Sequence, residues 1–269
     1  MLRLTALGVC GTFPAPGRAC SGYLLEAARP EGPPVKVWVD AGSGTLANLL
    51  RYTSLEQVDA IWVSHLHVDH CSDLPLAYYT LKYGDGERAT PLPVYGPSGW
   101  GPHMASFLTA DTAGQPRDMT DVFEINELGH GAVVSFGGLE LAAIATRHSV
   151  ETWAVRATSG GLTLAYSADT GPCDALADLA DGADLFVCEA AWAESMETEP
   201  IHCDPLDAGE WARRAGAKRL LLTHLRPSVD PQAAIERARR AYDGEVGVVV
   251  EGEAYELGAA TWGRGSEPT

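Results

Sequence analysis

No stretch of this sequence approaches the ~20 consecutive apolar residues that a membrane-spanning helix needs, so a bilayer is not an expected partner. Basic charge is scarce: 19 Lys and Arg oppose 36 Asp and Glu, giving a net charge of −17. The only lysines are Lys36, Lys82 and Lys218. A protein that grips a nucleic-acid backbone needs a basic stripe to displace condensed counterions. The densest candidate, Arg213-Arg214 with Lys218-Arg219, lies in a helical stretch beside Glu210 and reads as a solvated face. A small molecule is therefore the expected substrate, and a nucleic-acid polymer is not an expected partner. There is no C-x-x-C pair; Cys10, Cys20, Cys71, Cys173, Cys188 and Cys203 are scattered, which fits reduced thiols in a cytoplasmic enzyme better than a disulfide framework. The start, Met1 to Phe13, has one basic residue and is broken by Gly8 and Gly11, so it reads as a first strand and its turn rather than a signal peptide.

What is present is a chain of 269 residues, enough for one large α/β domain with an ample core. Short β-like runs alternate with helical ones. Strands are expected at Leu2–Val9, Tyr23–Ala27, Val35–Val39, Ala60–Val63 and Leu92–Tyr95, with helices at Thr45–Tyr52 and Leu74–Lys82. Residues 99–121 have the least pattern and suit a lid or a surface helix. A β-rich stretch follows, at Ala132–Phe136, Leu139–Ala145, Trp153–Ala157 and Leu162–Tyr166. Helix and strand then alternate again through Ala175–Leu179, Leu185–Cys188, Pro205–Ala215, Arg219–Leu222, Pro231–Tyr242 and Val246–Val250. Two such halves, packed sheet to sheet with helices outside, make a four-layer αββα sandwich over residues 1–260, followed by a tail at 261–269. A homodimer is compatible with this reading but not required by it.

The chemistry begins at Ser64-His65-Leu66-His67-Val68-Asp69-His70, where three histidines and an aspartate fall within six residues directly after an apolar strand. Neutral imidazole and carboxylate are the usual zinc ligands, and alternate residues at a strand end point the same way. Three more candidates also follow strands: His148 after Leu141–Thr146, Asp169 after Leu164–Tyr166, and His224 after Arg219–Leu222. A single histidine after a strand is more often structural than a ligand, but the cluster at 65–70 lacks ligands for two metals until these are added. His103 and His130 lie in turn-rich sequence and read as structural or exposed. Cys71 adjoins the cluster and reads as packing.

His65-x-His67-x-Asp69-His70, followed in order by His148, Asp169 and His224, resembles the full ligand set of the metallo-β-lactamase superfamily, over Leu2 to about Leu257. The resemblance implies the αββα fold and a dinuclear hydrolase. It would place His65, His67 and His148 on one metal and Asp69, His70 and His224 on the other, with Asp169 bridging. Zinc is the expected metal, with Mn2+ or Fe2+ admissible. Asp40, in Val37-Trp-Val-Asp-Ala-Gly-Ser43, matches the family's early Asp-x-Gly motif, whose aspartate orients a ligand histidine. His67 separates this chain from the di-iron branch, which carries glutamate there, and so favours hydrolysis over redox chemistry.

Within the superfamily, Gly8-Val-Cys-Gly-Thr-Phe-Pro14, Glu189 in Val187-Cys-Glu-Ala-Ala-Trp192 and His202 are similar to the tRNase Z and phosphodiesterase branch, in which a histidine beside the metals donates a proton. The stretches His70–Pro75, Leu164–Gly171 and Phe186–Trp192 look like a group of actinobacterial proteins described as atypical class II cyclic nucleotide phosphodiesterases. Two departures oppose a tRNA-processing role: no long Gly/Pro-rich docking arm lies between His70 and His148 or between Asp169 and His224, and the charge is strongly negative. The resemblance therefore implies a metal-dependent phosphodiesterase acting on small diesters such as 3′,5′-cyclic nucleotides. His202 would be the proton donor, and Asp69 both a ligand and an orienting group for the attacking water. The metal set alone does not choose the bond broken, so a lactonase or other ester hydrolase is the alternative. Arg18, Tyr79 and Trp192 are candidates for substrate contact.

Overall fold

The computed structural model describes residues 1–108, 114–194 and 199–258. The expected tail at 261–269 lies outside them, as does part of the weakly patterned 99–121 stretch. Two seven-stranded sheets form the centre. One runs β14 (Ala254–Glu256), β1 (Leu2–Gly8), β2 (Gly22–Ala27), β3 (Val35–Val39), β4 (Ala60–Trp62), β5 (Leu92–Gly96), β6 (Phe123–Glu127). The other runs β13 (Glu245–Val248), β12 (Arg219–Thr223), β11 (Leu185–Glu189), β10 (Leu162–Tyr166), β9 (Trp153–Ser159), β8 (Leu139–Ala145), β7 (Val133–Phe136).

Strand alternation builds the layers. Val35, Val37 and Val39 of β3 face the opposite sheet and pack with Leu141, Val155, Leu164 and Tyr166. Trp38, between them, points outward into a second core with α1 (Thr45–Leu49), α3 (Leu74–Tyr83) and α4 (Trp100–Phe107). On the other side, Ala165 and Phe186 face a third core under α5 (Ala175–Ala180), α6 (Pro205–Ala215) and α7 (Pro231–Ala238). Three cores separate four layers, and the architecture is the αββα sandwich.

The sequence pattern located most of these elements to within one or two residues. The differences fall at two helix ends, in the 99–121 stretch, and at β6, α2 and β14. The helix expected to Tyr52 ends at Leu49, and the one expected to Tyr242 ends at Ala238. The 99–121 stretch holds the helix α4, whose Trp100, Met104 and Ala105 are buried. β6 was not expected because it is an edge strand with largely exposed side chains, so the burial signal is weak. The turn α2 (Val68–Cys71) and β14 are too short, at 4 and 3 residues, to show a period. Among the described residues, no helix is long and apolar enough to cross a membrane.

The β3–β6 and β10–β13 pairings are parallel. Loops leaving the carboxyl ends of parallel strands gather at one rim, the usual place for a site in such sheets. His65 follows β4, Asp169 follows β10, Glu189 ends β11 and His224 follows β12.

Candidate metal centre

Three groups of donor atoms meet at this rim, two of them rich in histidine and a third made by Asp169, Glu189 and His202. Ligand atoms of His65, His67, His148 and Asp169 all lie within 4.8 Å of one another, and so do those of Asp69, His70, Asp169 and His224. Asp169 belongs to both. In the first group, His67 Nδ1 sits 3.1 Å from His65 Nε2 and 3.1 Å from His148 Nε2. Donors ~2.0–2.1 Å from a tetrahedral zinc would be about 3.3 Å apart, so the spacing fits such an ion. In the second, His224 Nε2 is 3.2 Å from Asp169 Oδ2, and His70 Nε2 is 3.2 Å from Asp169 Oδ1 and 3.6 Å from Asp69 Oδ2.

The outer hydrogen bonds decide which nitrogen faces inward. His70 Nδ1 meets Asp40 Oδ2 at 2.8 Å, His148 Nδ1 meets the Ile201 carbonyl at 2.9 Å, and His65 and His224 use Nδ1 on Ser64 Oγ and Ser21 Oγ, each at 3.0 Å. A carboxylate or carbonyl can only accept, so Nδ1 of His70 and His148 carries the proton and Nε2 keeps its lone pair. His70 Nε2, His224 Nε2 and Asp169 Oδ1 are buried yet make no aligned hydrogen bond. Buried polar atoms are costly when unpaired, and three of them converging at one point match a bound cation.

The electrostatics agree. Burial holds the His65 and His67 imidazoles below their ordinary range and brings His148 down to about 4, so these three are neutral donors. Burial alone would raise Asp169, but the His224 and His70 rings overcome it and hold the carboxyl well below its usual range. His70 differs: burial would lower it, yet the Asp169 and Asp40 carboxylates push it well up, so a cation at Nε2 would have to displace a proton there. Buried carboxylates of this density favour a divalent cation.

Strain gathers at the same rim. Among the described residues, the non-glycine positions with left-handed φ are Thr12 (68°), Asp40 (58°), Ala168 (52°) and His224 (57°). Each costs on the order of 1–3 kcal/mol. Thr12 donates its N–H to Asp69 Oδ2 at 2.8 Å, Ala168 precedes Asp169, and the other two belong to the cluster and its support. Gly11 is required beside them: a Cβ there would stand 2.3 Å from the His224 carbonyl oxygen.

Asp40 is fully buried and accepts from Ser64 N, Ser64 Oγ, His70 Nδ1 and Tyr166 Oη. It sits where the sequence motif puts the residue that orients a histidine. Asp40→Asn is expected to weaken metal affinity by about 10–100-fold, read by competition with a chelator; unchanged affinity would show that Asp40 does not orient His70.

Beside the cluster, His202 Nδ1 lies 2.9 Å from Glu189 Oε1 and 3.9 Å from Asp169 Oδ2. Glu189 is fully buried and also accepts from Thr170 N and Ala191 N. Burial pushes the His202 imidazole down, but the Glu189 hydrogen bond and charge, with Asp169 and Asp69, push it up to about 9.

The remaining candidates fall as follows. His103 and His130 are exposed. Cys71 is buried and donates Sγ–H to the His67 carbonyl at 3.3 Å. Tyr79 packs in the outer core, stacked on Tyr83. Arg18 lines a separate cavity of about 350 Å3 with Val9, Leu225 and Val249. Trp192 is 38% exposed and has the Arg226 guanidinium over its ring. Ser21, Ser64, Tyr166 and Arg226 were not singled out in the sequence, where serine, tyrosine and arginine carry no distinguishing signal; the one cue was adjacency to His65 and His224.

An αββα sandwich whose strand ends converge on buried and half-buried histidines and carboxylates in two groups defines a metal-dependent hydrolase. The chain belongs to the β-lactamase superfamily: residues 36–225 match the family model described as Beta-lactamase superfamily domain. Among similar proteins, an uncharacterised protein of Mycobacterium tuberculosis is 35% identical over 258 residues, covering 95% of this chain and 92% of that one. The metallo-β-lactamase fold protein YhfI from Bacillus subtilis has a crystal structure that superposes with a TM-score of 0.82 at 28% identity, covering 94% of this chain and 98% of that one. A ribonuclease Z from Myxococcus xanthus is 28% identical over an alignment of 308 positions, covering 96% of this chain and 98% of that one.

Proposed function

We propose that this chain is a dinuclear, zinc-loaded phosphodiesterase for small phosphodiesters, with 3′,5′-cyclic nucleotides first among them. The observation that carries the reading is the position of Asp169, shared by two donor groups and next to the Glu189–His202 pair. His65, His67, His148 and Asp169 would hold one ion, and Asp69, His70, His224 and Asp169 the other. When bound, a pair of such ions activates water near neutral pH and neutralises phosphoryl oxygens.

The chain's own residues do the rest. Asp69, held by the Thr12 N–H, keeps an oxygen toward the centre that can orient the attacking water. Glu189 fixes the His202 ring through Nδ1, leaving Nε2 to hold the proton that the departing 3′-oxygen needs. The ring is part-exposed, so it meets substrate at the mouth rather than inside the cluster.

Three features support a small diester over tRNA. The net charge of −17 opposes a polyanion. The densest basic stretch is engaged elsewhere, Arg214 with Asp174 and Lys218 with Asp184. The alignment with the M. xanthus ribonuclease Z, at 308 residues, is longer than this whole chain, so that relative carries segments that this one lacks. A cyclic diester bears one charge and meets its counter-charge locally, within a Debye length of about 8 Å at physiological salt.

The test is kcat/KM for cyclic AMP, bis(p-nitrophenyl) phosphate, a lactone and a 3′-extended tRNA under one zinc condition. Cyclic AMP is expected to turn over and the tRNA to be poor or inert. Good lactone turnover with cyclic AMP untouched would overturn the substrate reading, and efficient trimming of the tRNA would overturn the arguments from charge and length.

A further inference from the structure

Three loops bring Phe13, Trp192 and Arg226 together at the rim, and each is fastened to the centre. Phe13 follows Thr12, whose N–H holds Asp69. Trp192 follows Ala191, whose N–H holds Glu189 Oε2 at 3.1 Å. Arg226 lies two residues after His224; its own N–H bonds the Ala191 carbonyl, and the Gly11 N–H bonds the Leu225 carbonyl. The guanidinium carbon stands 4.1 Å from the Trp192 ring centre and 5.8 Å from that of Phe13.

Arg226 is half-buried, and among the described residues no carboxylate or carbonyl takes its side-chain N–H groups. Elsewhere in this acidic chain Arg29, Arg214 and Arg237 do have carboxylate partners. Aromatic rings beside the guanidinium hold its plane by cation–π attraction and leave its in-plane N–H fork free. That fork matches the spacing of two oxygens on one phosphate or carboxylate. Partial burial strengthens the contact, because the local dielectric is lower than that of water.

We propose that Arg226 is the substrate-anion receptor at the mouth of the metal centre, held in register by Trp192 and Phe13, and that it binds a phosphoryl oxygen of the diester. This rests on the phosphodiesterase reading for its ligand. It assigns Trp192 a different part from base stacking, since one face of its ring is already covered by the guanidinium.

The test uses zinc-loaded protein and equilibrium binding of diphenyl phosphate, an anion, against its uncharged methyl ester. Arg226→Gln is expected to weaken the anion by about 10–100-fold, the scale for losing a charge-assisted hydrogen bond. Binding of the methyl ester and the zinc content should be unchanged, and Arg226→Lys should recover part of the loss. Arg240→Ala removes the same charge at an exposed position and should leave anion binding as it was. The proposal is overturned if Arg226→Gln leaves anion binding intact, weakens both ligands equally or sheds zinc, or if Arg240→Ala reproduces the loss. Binding does not require turnover. A protein that ignores cyclic AMP but still loses anion binding on Arg226→Gln would refute the substrate reading and keep this one.

Discussion

Asp169→Ala is expected to strip metal from the protein and to lower kcat/KM by about 10³-fold or more. Each ion in a two-metal site contributes several kcal/mol of charge stabilisation, and ~1.36 kcal/mol corresponds to tenfold in rate. Asp169 is the one side chain common to both donor groups, so its loss opens both at once. Its carboxylate oxygens also lie 3.2 Å from both His70 Nε2 and His224 Nε2. Elemental analysis should fall from two equivalents of zinc in the parent to one or none. His103→Ala is the matched control: the side chain is exposed, and metal and activity should be retained. A variant that keeps two equivalents would remove Asp169 from the bridging position, and a parent holding only one after zinc supplementation would refute the dinuclear reading.

His202→Ala is expected to lower kcat by roughly 10²–10⁴ on substrates with a poor leaving group, the usual scale for general acid catalysis, while leaving two equivalents of metal in place. The expectation comes from geometry. His202 Nδ1 is held at 2.9 Å by Glu189, a residue outside the two histidine-rich donor groups, and Glu189 is itself fixed by backbone N–H groups. A p-nitrophenolate leaving group hardly needs a proton, so bis(p-nitrophenyl) phosphate should lose far less than cyclic AMP. Equal losses on both substrates, or loss of a metal, would show that His202 is a ligand or a structural residue instead. Glu189→Gln should follow the same leaving-group pattern more weakly, because it leaves the ring in place while removing the charge that holds its proton.

The candidate site was legible where its residues are neighbours in sequence. His65, His67, Asp69 and His70 fall within one strand end and one turn, so local geometry alone brings their side chains to the same rim. His148, Asp169 and His224 could be noticed as donors following strands, but which metal each would serve came from family resemblance, because spacing along the chain says nothing of distance across two sheets. The partners of the histidines were invisible. Ser21 lies 203 residues from His224, and Tyr166 lies 126 from Asp40, and neither residue type announces that role. Arg226 was missed for the same reason: an arginine two residues past a strand is ordinary until Trp192 and Phe13 are seen beside it.

The fold shows the same division. β3 and β10 could be read because their alternating apolar residues must face a core, whatever the neighbouring strand. β6 and β14 could not, since an exposed edge strand and a three-residue strand exist only through the strand that pairs with them.

What the sequence determines by itself is the layer order, the donor types and the sign of the overall charge, because periodicity, side-chain chemistry and composition are local or additive. Only the tertiary structure decides which nitrogen of each imidazole faces inward, that Asp169 stands between two donor groups, and that Arg226 lies against Trp192 and Phe13. Each of these depends on contacts between loops leaving different strands, and their meeting is set by how the two sheets pack.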